Sequence, residues 1–201
     1  MPRGIVDFEA LRSEEIASLR QMRASPGLPF DIKKIGHVVL QVQEIGRSVE
    51  FYTKVLGFKV SDVYPDSMMA GKMVFMRCNA DHHGIALVGS AQSGSQHVEL
   101  HHVAFEVSTI DEVFRAREHL RARNVKIDFE GRRRAGCQVA VEFRDPDGHW
   151  LEIYWGLDQV GTDGTIRPPE EWRECFSLEE AVDNPPVGQD TTLQDASLRK
   201  T

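Results

Sequence analysis

The sequence predicts an α+β fold built from two like halves, and three observations carry that expectation. The segments IGHVVLQV and LHHVAFEV are versions of one phrase, a histidine followed by largely apolar residues, and they contain His37 and His102. Each is followed by the same order of patterns: strand, helix, strand, strand, strand. A Gly/Ser-rich stretch, GSAQSGSQ, separates the two runs as a linker does. Repetition of a strand together with its imidazole suggests two modules facing each other across a pseudo-twofold axis.

Taken in order, residues 6–23 have helical spacing, with Phe8, Leu11, Ile16 and Leu19 as the apolar stripe. Ser25-Pro26-Gly27-Leu28-Pro29 breaks that pattern and reads as a linker, so residues 1–31 form an N-terminal extension. The first module, 32–90, reads as strand 32–42, helix 46–56 and strands 58–64, 72–78 and 83–89. The second, 98–156, reads as strand 98–107, helix 110–123 and strands 125–130, 138–144 and 149–155. The turn residues Asp145-Pro146-Asp147-Gly148 join its last two strands tightly. Residues 157–201 are acidic and contain Pro and Gly. Pro168-Pro169-Glu170-Glu171-Trp172 suits a short helix start, and the final stretch reads as disordered in isolation.

Composition narrows the function classes. The chain has 41% hydrophobic and 27% charged residues, ordinary for a soluble globular protein, and a net charge of −7 argues against a nucleic-acid surface. Cys78, Cys137 and Cys175 are odd in number and lack metal-type CxxC spacing, so a disulfide framework is not expected. The N-terminus is charged too early for a signal-peptide apolar region, and no run approaches a membrane span. The expected setting is reducing and cytoplasmic, with no membrane partner.

The candidate site is His37, His102 and Glu152. Strand alternation puts each on one face with its i+2 neighbours, and two imidazoles converging with one carboxylate make a metal site with open positions. Singly, each is weak: a histidine in an apolar strand is more often a hydrogen-bonded core residue, and a strand glutamate is usually solvated. His101 and His102 are adjacent, so alternation sends them to opposite faces, and the repeat register selects His102. Glu152 lies between apolar Leu151 and Ile153 and shares its face with Trp150 and Tyr154, where a carboxylate needs a partner and a cation is the economical one.

IGHVVLQVQEIGRSVEFYTKVLGFKV, LHHVAFEV and FRDPDGHWLEIYW resemble the vicinal-oxygen-chelate superfamily, which includes glyoxalases, fosfomycin-resistance enzymes and extradiol ring-cleaving dioxygenases. The resemblance covers about residues 32–156 and implies paired βαβββ modules forming a cupped mixed sheet around a metal held by His37, His102 and Glu152. It is less specific for reaction, because one scaffold hosts several chemistries. Aligning the module ends places Ile85 or Ala86 opposite Glu152, and neither can bind a metal, so the four-ligand glyoxalase pattern is not met. A face of two histidines and one carboxylate remains, which points to Fe(II), with Mn(II) as the alternative, and to O₂ chemistry.

HHGIAL is similar to the extradiol segment that supplies a proton-transferring histidine, which falls here on His83. The departures lie in EGRRRAGCQVAVEFRDPDG. Where extradiol enzymes carry a Tyr the chain has Glu142, and their His position falls on Arg133 or, with a shorter loop, Ala135. Arg133 is thus a candidate for holding an anionic substrate oxygen or carboxylate and Glu142 a candidate proton acceptor, while Trp150 and Tyr154 would wall a flat substrate. A solvated loop and an outward strand residue are the plainer readings. The expectation is an Fe(II)-dependent extradiol-type dioxygenase acting on a small catecholic or related aromatic, working as a homodimer or higher oligomer. Two alternatives stand beside it. One is a fosfomycin-resistance-type enzyme adding thiol or water to an epoxide, against which Val39 stands in place of that family's Thr. The other is a metal-free small-molecule-binding module of the bleomycin-resistance kind.

Overall fold

The computed structural model describes residues 6–23, 26, 34–96, 100–160 and 165–199. Expected strand residues 32–33 and 98–99, most of the linker around Pro26, and 161–164 of the tail lie outside them.

Two short helices open the chain, α1 (Phe8–Leu11) and α2 (Glu14–Gln21). The single helix expected over 6–23 is broken at Ser13, whose hydroxyl accepts from the Ile16 N–H and starts a new helix. The stripe that was to bury this segment stays open, with no buried residue in either helix and Phe8 and Leu19 exposed.

The repeat follows. The first module runs β1 (Val38–Gln41), α3 (Ile45–Lys54), β2 (Lys59–Tyr64), β3 (Met73–Arg77) and β4 (Ile85–Val88). The second runs β5 (Val103–Glu106), α4 (Ile110–Ala122), β6 (Ile127–Arg132), β7 (Val139–Arg144) and β8 (Trp150–Trp155). Each forms a four-stranded mixed sheet of the same order, β1-β4-β3-β2 and β5-β8-β7-β6, with the first pair of each parallel and the rest antiparallel. Even the irregularity repeats: the ladder slips at Val60/Asp62 in one module and at Ile127/Phe129 in the other. Thr109 and Glu112 start α4 with a capping box, while Glu44 caps α3 through the Gly46 and Arg47 N–H groups.

Alternation sorts the side chains. Leu40 and Val42 of the first module, with Phe51, Tyr52 and Phe58, share one apolar core with Leu120, Phe143 and Leu151 of the second. The helices meet there too, with His119 Nε2 2.8 Å from the Val55 carbonyl. Leu151 points into this core, so Glu152 beside it points to the opposite face of its sheet.

The Asp145–Gly148 turn also fastens the modules together. Asp147 accepts from the Gln43 N–H (2.8 Å), Arg47 Nη2 (2.9 Å) and Ser48 Oγ (2.7 Å) across the interface. Asp145 accepts from Tyr52 Oη at 3.2 Å and lies 2.9 Å from His149 Nδ1. Burial disfavours the charged imidazole of His149, but its hydrogen bond to Asp145 and the charges of Asp145 and Asp147 raise its pKa overall. A folded-state pKa above the ordinary 6.5 means the stabilisation is fully present below that value and lost as pH rises through the raised one. Chemical denaturation from about pH 6 to about pH 8 should therefore show falling stability in the wild type and a flatter profile in His149→Gln. Parallel profiles would remove the pair from the interface's pH response.

The tail, which reads as disordered in isolation, is ordered by packing on the core. Cys175, Leu178 and Ala181 are fully buried and pack with Ile110, Val113, Phe114, Val139 and Val141, with helix α5 (Leu178–Asp183) lying against β6 and β7. Cys175 adds a bridge to Arg132 at the edge of β6. Gly131 permits this approach: at φ +139 it has no side chain, and a Cβ there would lie 2.1 Å from the Cys175 carbonyl oxygen. Among the described residues no helix is long and apolar enough to cross a membrane.

Candidate metal centre

Register identifies the equivalent positions. Val38 pairs with Ile85 and Val39 with Ala86, while Val103 pairs with Leu151 and Ala104 with Glu152. His37 and His102 thus stand one residue before equivalent strands, and of the two residues aligned with Glu152, Ala86 occupies its place. The first module contributes no carboxylate there.

His102 and Glu152 come together, Nε2 to Oε2 at 3.5 Å. Glu152 is 3% exposed, and its one hydrogen bond among the described residues is a long one, from Gln138 Nε2 at 3.4 Å. Burial pushes its carboxyl pKa up, Glu142 adds to that, and Gln138 and Arg133 oppose it. Burial and neighbouring His101 lower the His102 pKa, which favours the neutral imidazole that binds metals.

His37 does not join this pair. Its ring lies 4.5 Å from that of His83, and among the described residues no three His, Cys, Asp or Glu side chains are gathered as a metal site. The expected gathering of all three in the protein without metal is therefore corrected: there are two halves, each on its own sheet, with no ladder between the sheets. His37 and His102 are both exposed and lie just outside β1 and β5, where no strand pairing fixes their rings. The same fact overrides alternation at His101 and His102, whose Nδ1 atoms are 2.8 Å apart.

The donor chemistry fits a divalent cation. A buried carboxylate with one weak amide partner beside an imidazole is costly unless a cation completes it. Gln138 Oε1 is also buried and has no hydrogen-bond partner.

The other candidates divide. His83 lies against Phe75 (5.0 Å between centroids) as well as His37, and its Nδ1 is 3.0 Å from that of His82. Burial, His37 and His82 lower its pKa. Trp150 is stacked on His101 at 4.9 Å with the Arg144 guanidinium 5.1 Å from its ring, and Tyr154 is partly buried, its phenol pKa raised by burial, Glu106 and Glu152. The three arginines separate completely. Arg132 is buried among tail carbonyls, and Arg134 pairs with Glu174 at 2.8 Å. Arg133 pairs with Glu142, which stands opposite Glu152 in the β7–β8 ladder. Glu142 therefore faces the site, but as an ion-pair partner.

Sequence reasoning missed Gln138 and His101. Gln138 was within reach, because it alternates with Ala140 and Glu142 toward Glu152. His101 was dismissed by a strand rule that does not hold where the strand has not begun.

Residues 34–153 match the model of the Glyoxalase/Bleomycin resistance protein/Dioxygenase superfamily. A 3-methylcatechol 2,3-dioxygenase of Pseudomonas putida is 30% identical over 129 residues, 63% of this chain and 43% of that protein, so the chain spans less than half that relative's length. A biphenyl-2,3-diol 1,2-dioxygenase 3 of Rhodococcus globerulus is 28% identical over 152 residues, covering 73% of this chain and 72% of that one. The fold is shared with the fosfomycin resistance protein FosX of Listeria monocytogenes, solved with Mn(II) and sulfate ion. That likeness has a TM-score of 0.50 at 21% identity and covers 63% of this chain and 92% of that one.

Proposed function

The chain belongs to the glyoxalase/bleomycin resistance protein/dioxygenase superfamily, and from that premise we propose that it is a metal-dependent dioxygenase cleaving a small aromatic ring that bears two vicinal oxygens. The observation that carries the reading is the buried, under-partnered Glu152 carboxylate beside His102, with Ala86 in the equivalent place of the other module. With His37, which lies apart from this pair against His83, the proposed donor set is two histidines and one carboxylate. Fe(II), or Mn(II) in its place, held by His37, His102 and Glu152, would supply open positions for two substrate oxygens and O₂.

The chain's own residues do the rest. Gln138 holds the Glu152 carboxylate in orientation. His83, packed against His37 and Phe75, takes a proton from a substrate hydroxyl and returns it to the product. Trp150 and Tyr154, on Glu152's face, wall the ring.

The test is anaerobic Fe(II) reconstitution, followed by O₂ uptake against a panel of catechols, hydroquinones and hydroxylated heteroaromatics. Uptake should require metal, and His83→Phe should cut turnover about 10²-fold or more while iron stays bound. No uptake with any compound, alongside thiol addition to an epoxide, would transfer the chain to fosfomycin-type chemistry. Iron X-ray absorption checks the ligand set, and a spectrum with a single imidazole would remove His37 from it.

A further inference from the structure

We propose that Arg133, oriented by Glu142 and Phe129, recognises an anionic substituent, a carboxylate, on the aromatic substrate. This rests on the ring-cleavage reading and goes beyond it by naming the substrate class. Arg133 donates from both Nε and Nη2 to a single oxygen, Oε1 of Glu142. Its guanidinium carbon lies 3.6 Å from the centroid of the Phe129 ring. The carboxylate fixes one edge of the fork and the phenyl ring fixes its plane. Nη1 makes no hydrogen bond among the described residues, so the remaining edge is oriented in advance and unused. The side chain keeps 28% of its surface exposed, so a ligand can reach it.

The neighbouring arginines show what structural roles look like in this loop. Arg132 is 0% exposed and spends its donors on Gln189 and on tail carbonyls, and Arg134 reaches outward to Glu174 of the tail. Only Arg133 sits on the side of Glu152. Glu142, its partner, stands opposite Glu152 in the ladder, and the charge of Arg133 is felt at both Glu152 and His102. A planar carboxylate matches the free edge of a guanidinium, and a preorganised donor pair loses little entropy on binding it. No proton or electron moves in this step; it is recognition alone.

The probes are protocatechuate and its neutral carboxamide, which share the ring and the vicinal hydroxyls. Anaerobic titration calorimetry on the Fe(II)-loaded full chain should find the carboxylate bound about tenfold or more tighter than the amide. Arg133→Gln should bring that ratio close to one. Arg133→Lys, which keeps the charge and loses the fork, should retain part of it, and circular dichroism of both variants checks folding. Equal wild-type affinities for the two compounds would overturn the anion site while leaving the ring site standing. Binding of neither compound would also overturn the anion site, whereas the ring-cleavage reading stands or falls on the O₂-uptake panel.

Discussion

Glu152→Gln is expected to separate function from stability. With metal, the variant should lose stoichiometric Fe(II) and turnover by about 10³-fold or more, because a neutral amide replaces the one anionic member of the proposed donor set; supporting outer residues alone are worth about 10- to 100-fold. Without metal, it should unfold at higher denaturant concentration than the wild type, by about 1–3 kcal/mol. The carboxylate is 3% exposed and has only a 3.4 Å amide contact and an imidazole 3.5 Å away, so its charge is buried against poor compensation. Glutamine keeps the shape, and its carbonyl can still accept from Gln138. The measurements are iron per chain, O₂ uptake and urea unfolding of the metal-free forms. A variant that retained a full equivalent of iron would end the ligand assignment. A metal-free variant less stable than the wild type would show that Glu152 is a structural residue held by partners other than a cation.

Much of this arrangement was legible in the sequence, for identifiable reasons. The repeated strand with its histidine set the two modules, and the identical orders β1-β4-β3-β2 and β5-β8-β7-β6 bear that out. Period-two patterning placed Glu152 and Tyr154 on one face, but the direction of Glu142 stayed open until the unbroken β7–β8 register, from Val139 to Arg144, set it opposite Glu152. Patterning failed where regular structure stops. His37, His101 and His102 lie just before their strands, so their ring positions depend on local contacts that no alternation rule describes. The break at Ser13 is a single side-chain hydrogen bond overriding an apolar period that had nothing to pack against. The tail was opaque for a different reason. Its low apolar content is sufficient only because Leu178 and Ala181 meet a face already built by α4 and β7, and a local reading cannot see a partner that distant in sequence.

Arg132 shows the same limit, and it carries the largest expected stability effect. A triplet of arginines between two strands reads as a solvated loop, yet the first of them is the anchor of the tail. Its Nε donates to Gln189 Oε1 at 3.1 Å and its Nη1 to the Asn184 carbonyl at 2.8 Å, while Nη2 donates to the Ala181 carbonyl. Its backbone exchanges hydrogen bonds with Cys175, N–H to O at 3.1 Å and O from N–H at 3.3 Å. Arg132→Met preserves most of the volume and removes every side-chain donor, leaving the buried Ala181 carbonyl without this partner and releasing the Asn184 carbonyl and Gln189. The expected loss is about 3–5 kcal/mol, read by urea unfolding and by new protease sensitivity within residues 165–199. Arg134→Met is the control. Its side chain is 31% exposed and makes a single pair, with Glu174, so its loss should be the smaller, about 1 kcal/mol. Similar losses in the two variants would mean that the tail is held by its apolar contacts and that the guanidinium adds nothing particular. A selective loss in Arg132→Met would also reach the site. Arg133 follows Arg132 directly in the chain, so releasing the tail loosens the backbone that presents Arg133, and the preference for a carboxylated ligand should fall together with tail protection.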